Sequence, residues 1–154
     1  MTKYSYQDAK AIIHTICKAA EANEYNTREK FMDMLQRNPH IASQGYNAFG
    51  KVFFWNDASY HLYGYREDEA VNRDIVELII PPEMRQFARD MIANARKTNK
   101  MPEAGAYDLL RSDEQFVTVF SGHLVFQWDK GTMPEFYCID LALETQEDEL
   151  ATIA

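Results

Sequence analysis

KVFFWNDASYHLYGY, residues 51–65, is the stretch whose reading decides the fold of this chain. An apolar run, Val52, Phe53, Phe54 and Trp55, stops at Asn56 and Asp57, and one or two amphipathic turns then lead to Gly64 and Tyr65. Phe and Trp suit the pleated surface of a sheet. Asn56, Asp57 and Ser59 are side chains that satisfy the free N–H groups at a helix start. Gly64 closes a helix in the left-handed conformation without a Cβ penalty. The stretch therefore reads as a buried strand that hands its chain directly to a short helix.

Upstream, Ala9, Ile12, Ile13, Ile16, Ala19 and Ala20 recur at helical spacing, which predicts an amphipathic helix over Tyr6–Ala22. Ser5 and Asp8 have the spacing of a capping box at its start. A second short helix is expected over Thr27–Gln36, burying Phe31, Met34 and Leu35, and Asn38-Pro39 stops it. Ile41–Tyr46 pairs with Val52–Trp55 through a turn at Asn47–Gly50. Short helices follow at Ala58–Tyr63 and Glu67–Val71, with a turn near Ile75–Leu78. Pro81-Pro82 opens a longer helix with a buried stripe of Met84, Phe87, Ala88, Met91, Ile92 and Ala95. Strands at Ala104–Arg111 and Gln115–Phe126 flank a tight turn at Ser112-Asp113-Glu114, and Glu135–Leu143 is the last strand. Short connections between neighbouring strands imply an antiparallel sheet, and the helices between the second and third strands must cover one face of it. The chain divides into an N-terminal helical flank at 1–38, a central α+β domain at 39–144, and the start of a linker helix at 145–154, where Thr145 and Asp148 are spaced as a capping box. That last helix is acidic and unfinished, so the sequence is expected to be cut from a longer one.

Composition narrows the function. The chain has 154 residues, with 46% hydrophobic and 13% aromatic, enough for a proper core. A net charge of −8, from 24 acidic and 16 basic residues, disfavours nucleic-acid phosphates or an anionic membrane surface as partners. No run approaches the roughly 18 apolar residues of a membrane span, and a cytoplasmic location is expected. Cys17 and Cys138 follow no metal or redox spacing, and no two histidines have zinc-site spacing. Asp57, Asp108 and Asp140 are not paired with a nucleophile or base at informative spacing, so no catalytic residue is assigned. Asp57 is better explained as a helix cap.

Set in this order, the letters resemble bacterial PAS sensor domains, the signal-transduction type found in diguanylate cyclases and histidine kinases. The resemblance runs over about Ile41–Leu143. It is carried by WNDASYHLYGY at the strand–helix junction, REDEA at Arg66–Ala70, IVELIIPPE at Ile75–Glu83, LLRSDEQFVTV at Leu109–Val119 and FYCIDL at Phe136–Leu141. It departs from the family pattern at Glu114 and Asn72, both positions where glycine is frequent, and at Ala142, where the family often carries Thr.

The resemblance implies a PAS fold: a five-stranded antiparallel sheet with short helices and one long helix on one face, plus the N-terminal flanking helices. It implies a sensory module that detects a small ligand, redox state or partner and relays the change to a C-terminal output domain, without catalysis of its own. Haem is disfavoured because Pro82–Lys100 holds no His, and covalent flavin because Arg66–Ile80 holds no Cys; the cofactor, if any, is left unnamed. Phe54, Met91, Tyr107, Phe120 and His123 are the candidates for a ligand cavity between sheet and long helix. Asp140 and Thr145 are the candidates for signal relay. The Tyr6–Ala22 helix is expected to cover the open sheet face or to make a homodimer. Two other readings compete: a small enzyme on a cone-shaped, ketosteroid-isomerase-like fold, and a dimerisation module with a filled core. Strand order separates the first of these from the PAS reading, because two strands before the helical block and three after it belong to PAS.

Overall fold

The structure, a computed structural model, describes residues 2–22 and 24–145. Helices α1 (Tyr6–Glu21) and α2 (Arg28–Arg37) come first, followed by strands β1 (Ala42–Tyr46) and β2 (Val52–Trp55). Three short helices follow, α3 (Asp57–Tyr63), α4 (Glu67–Ala70) and α5 (Ile75–Ile79). A 3₁₀ turn at Pro82–Met84 leads into the long helix α6 (Arg85–Thr98). Strands β3 (Gly105–Leu110), β4 (Phe116–Phe126) and β5 (Glu135–Ala142) complete the fold. The five strands form one antiparallel sheet in the order β2-β1-β5-β4-β3. Two strands precede the helical block and three follow it, the order that separates the PAS arrangement from the cone. Ile75–Ile79, expected as a turn, is a helix capped by Asp74, whose carboxylate accepts from the Val76 N–H at 2.9 Å.

Side-chain alternation along the strands divides the core into two layers. On one face α3–α6 pack against Ala42, Tyr46, Val52, Trp55, Val119, Phe136 and Ala142. On the other, Phe120, Leu124, Tyr137, Ile139 and Leu141 meet Ala9 and Ile13 of α1 and Phe31, Met34 and Leu35 of α2. The N-terminal flank therefore covers the sheet face that the later helices leave open. Complete burial of one Ile or Phe there is worth about 1.5–3 kcal/mol, which is how a helix of marginal intrinsic stability stays in place. Gly122 on β4 lets α1 come this close: a Cβ there would sit 2.5 Å from Ile13 Cγ2 and 3.1 Å from Cys17 Sγ. Arg28 forms an ion pair with Glu135 and ties α2 to the start of β5. Glu135 also accepts from Trp128 Nε1 at 2.6 Å.

The 51–65 junction is held as its residue types predict, except that Asn56 and not Asp57 is the cap; Asp57 is the first residue of α3. Asn56 accepts from the Ser59 N–H at 3.0 Å and caps α3, and Gly64 closes the helix at φ 85°. Asn56 also accepts from the Ser43 N–H and donates to the Ile41 carbonyl, so the cap joins the helix to β1. Trp55 Nε1 donates to the Tyr65 carbonyl at 2.8 Å. The two glycine departures show their conformational origin: Asn72 and Glu114 adopt φ 72° and 67°, a region where Asn is tolerated far better than Glu.

The segments at the two ends of the described chain meet. Tyr4 N–H donates to the Ala142 carbonyl and Glu144 N–H donates to the Tyr4 carbonyl, both at 2.8 Å, so residues leading into α1 are stitched to those leaving β5. The helix expected from Thr145 falls on residues 146–154, outside those described. Among the described residues, no helix is long and apolar enough to cross a membrane.

Candidate functional site

On the face covered by α5 and α6, the sheet does not carry a continuous apolar layer. Three adjacent strands place Gln44 of β1, Cys138 of β5 and His123 of β4 in one cross-strand row, with Asp140 and Ser121 paired in the next row on the same face. Above these polar residues lies a cavity of about 130 Å³. Its roof is apolar: Ile75, Val76, Ile79 and Ile80 from α5 and its end, Ala88, Met91 and Ile92 from α6, and Met101 beyond it, with Tyr107 of β3 at the side. A hydrocarbon-lined core cavity of about 150 Å³ holds a benzene-sized guest, so this space suits a small molecule; drug-sized sites run to about 300–1,000 Å³.

The long helix lies over the sheet less completely than its stripe predicts. Ile92 and Ala95 are buried, but Met84 is 43% and Phe87 57% exposed. The first half of the stripe thus stands at the cavity's rim and is not packed on the sheet, because the space below it is the cavity.

The polar floor is only partly satisfied. Asp140 is buried and accepts from the Tyr63 hydroxyl at 2.5 Å, through Oδ2. Its Oδ1 has no hydrogen-bond partner. Burial raises the Asp140 carboxyl from its usual range to about 6, with Ser121, Tyr63 and Gln44 offsetting part of that penalty. Gln44 Nε2 donates to Ser59 Oγ at 2.9 Å, and this leaves Gln44 Oε1 without a donor. His123 is partly exposed as a residue, yet its Nδ1 is buried and unpartnered. Burial holds the ring's pKa below its ordinary value, while a hydrogen bond to the Pro102 backbone opposes the shift. The Tyr107 ring meets His123 edge-on, with centroids 6.0 Å apart. Burial pushes the Cys138 thiol well up, with Asp140 adding to the effect, so the thiol stays protonated; Tyr46 Oη lies 3.7 Å from its sulfur. Each unsatisfied buried polar atom costs about 1–3 kcal/mol. Three of them, on Gln44, His123 and Asp140, face one cavity.

Of the residues singled out in the sequence, Met91, Tyr107 and His123 line this cavity, and Asp140 joins them. Phe54 and Phe120 do not. They lie on the opposite face with α1 and α2, where Phe120 meets the Tyr6 ring at 5.4 Å and Phe54 neighbours Tyr137. The reason is the period of two: residues 120 and 123 on one strand cannot share a face, whereas 121 and 123 must. Phe126 joins the α2 side for the same reason, and Trp128, beyond the end of β4, stacks on it. Gln44, Ser121 and Cys138 escaped the sequence reading. With His123 as anchor, the alternation on β4 marks Ser121, and antiparallel pairing then marks Cys138 and Asp140. Gln44 carried the weaker signal of a lone amide in a short strand. His14, His40 and His61 are exposed and do not line this cavity, although His40 and His61 line a separate pocket that Asp140 also reaches. Thr145 lies just past β5, away from the cavity.

A family model described as "PAS fold" matches residues 52–139, more than half the chain. This chain belongs to the PAS family. Among solved structures, the PAS domain of a Colwellia psychrerythraea protein superposes with a TM-score of 0.58 at 19% identity, covering 71% of this chain and 96% of that one. The PAS domain of Bordetella pertussis BvgS gives 0.62 at 12% identity, covering 82% and 93%. The PAS domain of the Cronobacter turicensis quorum-sensing receptor RpfR, in complex with C12:0, gives 0.53 at 9% identity, covering 68% and 95%. At these identities the likeness is one of fold. No curated protein sequence matches the chain. A PAS fold is that of sensory and regulatory modules, and in this one the open space lies between the central sheet and its long helix.

Proposed function

We propose that this chain senses a small molecule in the cavity between β1, β4, β5 and helices α5–α6, and relays occupancy through β5 to an output domain following it, a diguanylate cyclase or a histidine kinase. The observation that carries the reading is the cavity itself, an apolar roof over a floor with three unpartnered buried polar atoms. A solid core would fill this space, since interiors are packed to crystal-like density. The RpfR PAS domain in complex with C12:0 supports a guest for a domain of this fold. The relay is supported by Asp140, which joins the cavity floor to Tyr63 of α3 and stands two residues before Ala142, the residue bonded to Tyr4. A ligand acts only as far as it binds two packing states differently. A homodimer through α1 belongs to the same proposal; because its inner stripe is spent on its own sheet, the contact would use the outer side.

The cavity is tested with benzene as a guest and the methionine methyls as reporters. Met84, Met91 and Met101 line the cavity, while Met32 and Met34 lie with α2 on the opposite face. Titration is expected to move the first three methyl resonances and leave Met32 and Met34 in place. Uniform small shifts, or none, would refute a ligand cavity.

A further inference from the structure

We propose that the guest of this cavity is a small primary ammonium compound, whose head donates to Asp140, Gln44 and His123 and whose apolar body lies against Tyr107, Met91 and Ile79. The inference rests on the reading of the cavity as a ligand site and specifies the chemistry of what enters it.

The unsatisfied atoms decide the head group. Gln44 Oε1 is a carbonyl oxygen and Asp140 Oδ1 a carboxylate oxygen; His123 Nδ1 carries a lone pair because the ring's other nitrogen serves the Pro102 backbone. All three are acceptors. A protonated primary amine offers three donors and no acceptor. Placement agrees: Gln44, Cys138 and His123 form one row across β1, β5 and β4, and Asp140 follows Cys138 on the same face of β5. The three acceptors thus surround Cys138, whose thiol already lies beside Tyr46 Oη.

Charge points the same way. Gln44 and Asp140 are 0% and 1% exposed, and no Lys or Arg is among the residues lining the cavity. A buried carboxylate without a cation is expensive, and the neighbouring Tyr63, Ser121 and Gln44 bring hydrogen-bonding dipoles but no charge. A cationic guest supplies the missing partner. An anionic guest meets acceptors and a carboxylate, an arrangement that repels it. Apart from Ser121, Cys138 and the Asp108 carboxylate, the remaining wall is aliphatic, aromatic or thioether, so the remainder of the guest is apolar; the volume encloses a part no larger than about a benzene ring, and any excess reaches the open rim at Met84 and Phe87.

The test uses one body with three heads: 2-phenylethylamine, 2-phenylethanol and phenylacetate, with benzene as the headless reference, each titrated near neutral pH and read at the Met84, Met91 and Met101 methyls. The amine is expected to bind at least about tenfold more tightly than the alcohol, with phenylacetate weakest. Asp140→Asn is expected to weaken the amine by about tenfold while leaving the alcohol and benzene within about twofold. Where that variant does not fold, Gln44→Met, which removes an acceptor without changing charge, is expected to weaken the amine by a smaller factor. Phenylacetate or the alcohol binding as tightly as the amine overturns the ammonium assignment. So does an amine held equally well by Asp140→Asn, or by Gln44→Met where that variant is used. In those cases benzene still shifts the three methyls, and the cavity reading survives. If benzene and the whole series leave those methyls unmoved, both readings fall together.

Discussion

Asp140 sits in the middle strand of the sheet with Ser121 beside it on β4 and Ala42 opposite on β1. Tyr46, Tyr63 and Cys138 are the titratable groups that face it, and burial holds all three neutral by raising their pKa values. With its own carboxyl raised from 3.8 to about 6, the folded chain keeps a proton that the unfolded chain releases between those values. Stability is therefore greatest below the lower value and is lost as pH rises through about 6, by a contribution on the order of 3 kcal/mol. His123 runs the other way: its lowered pKa costs stability as pH falls below 6.5. The Asp140 contribution is isolated by difference. Denaturant unfolding of wild type and Asp140→Asn at pH 4 and pH 8 is expected to show the variant gaining relative stability at the higher pH. An unchanged difference between the two pH values would contradict the raised pKa of the buried carboxyl.

At the scale of elements, the strands and helices were legible because each carries its own period and caps. β2 falls on Val52–Trp55 as expected, α1 and α2 lie within one residue of the bounds read from the sequence, and α6 starts three residues after Pro82. The face of each strand was less legible. Phe54 and Phe120 belong with α1 and α2 because register, not aromatic character, decides the side. The exposed Met84 and Phe87 show the same limit, since a helical stripe reports which way a helix faces and not whether the space below is filled. Arg111 was read only as a letter of the hairpin; the structure uses it to bind the Leu62 carbonyl at 2.5 Å at the end of α3. The seat of α1 is testable. Gly122→Ala forces the helix away from β4 and is expected to cost about 1–3 kcal/mol, and Ile13→Ala in the same chain is expected to recover part of that loss, because the new methyl then has room. Strictly additive effects of the two substitutions on unfolding free energy would rule out the close contact.

For the molecule as a whole, the sheet is the wall between two cores, and under the proposed relay it also links the cavity to the segment that leaves β5. One face holds the cavity and the other is sealed by α1; β5 runs between them to Leu143 and Glu144, where Tyr4 is bonded. The PAS fold was readable from five short motifs in order. The cavity was not, because an apolar lining and an apolar core have the same composition. What distinguishes them is the set of unpartnered atoms on Gln44, His123 and Asp140, which only the assembled sheet brings together. The proposed relay requires that filling this cavity changes the packing where β5 leaves the domain. Amide hydrogen exchange at Tyr4, Leu143 and Glu144, whose N–H groups bond Ala142, Thr118 and Tyr4, tests it directly when measured with the cavity empty and with it saturated by the tightest guest of the series. Protection is expected to change at these three amides along with those lining the cavity; a change confined to α5, α6 and the cavity floor would contradict the relay.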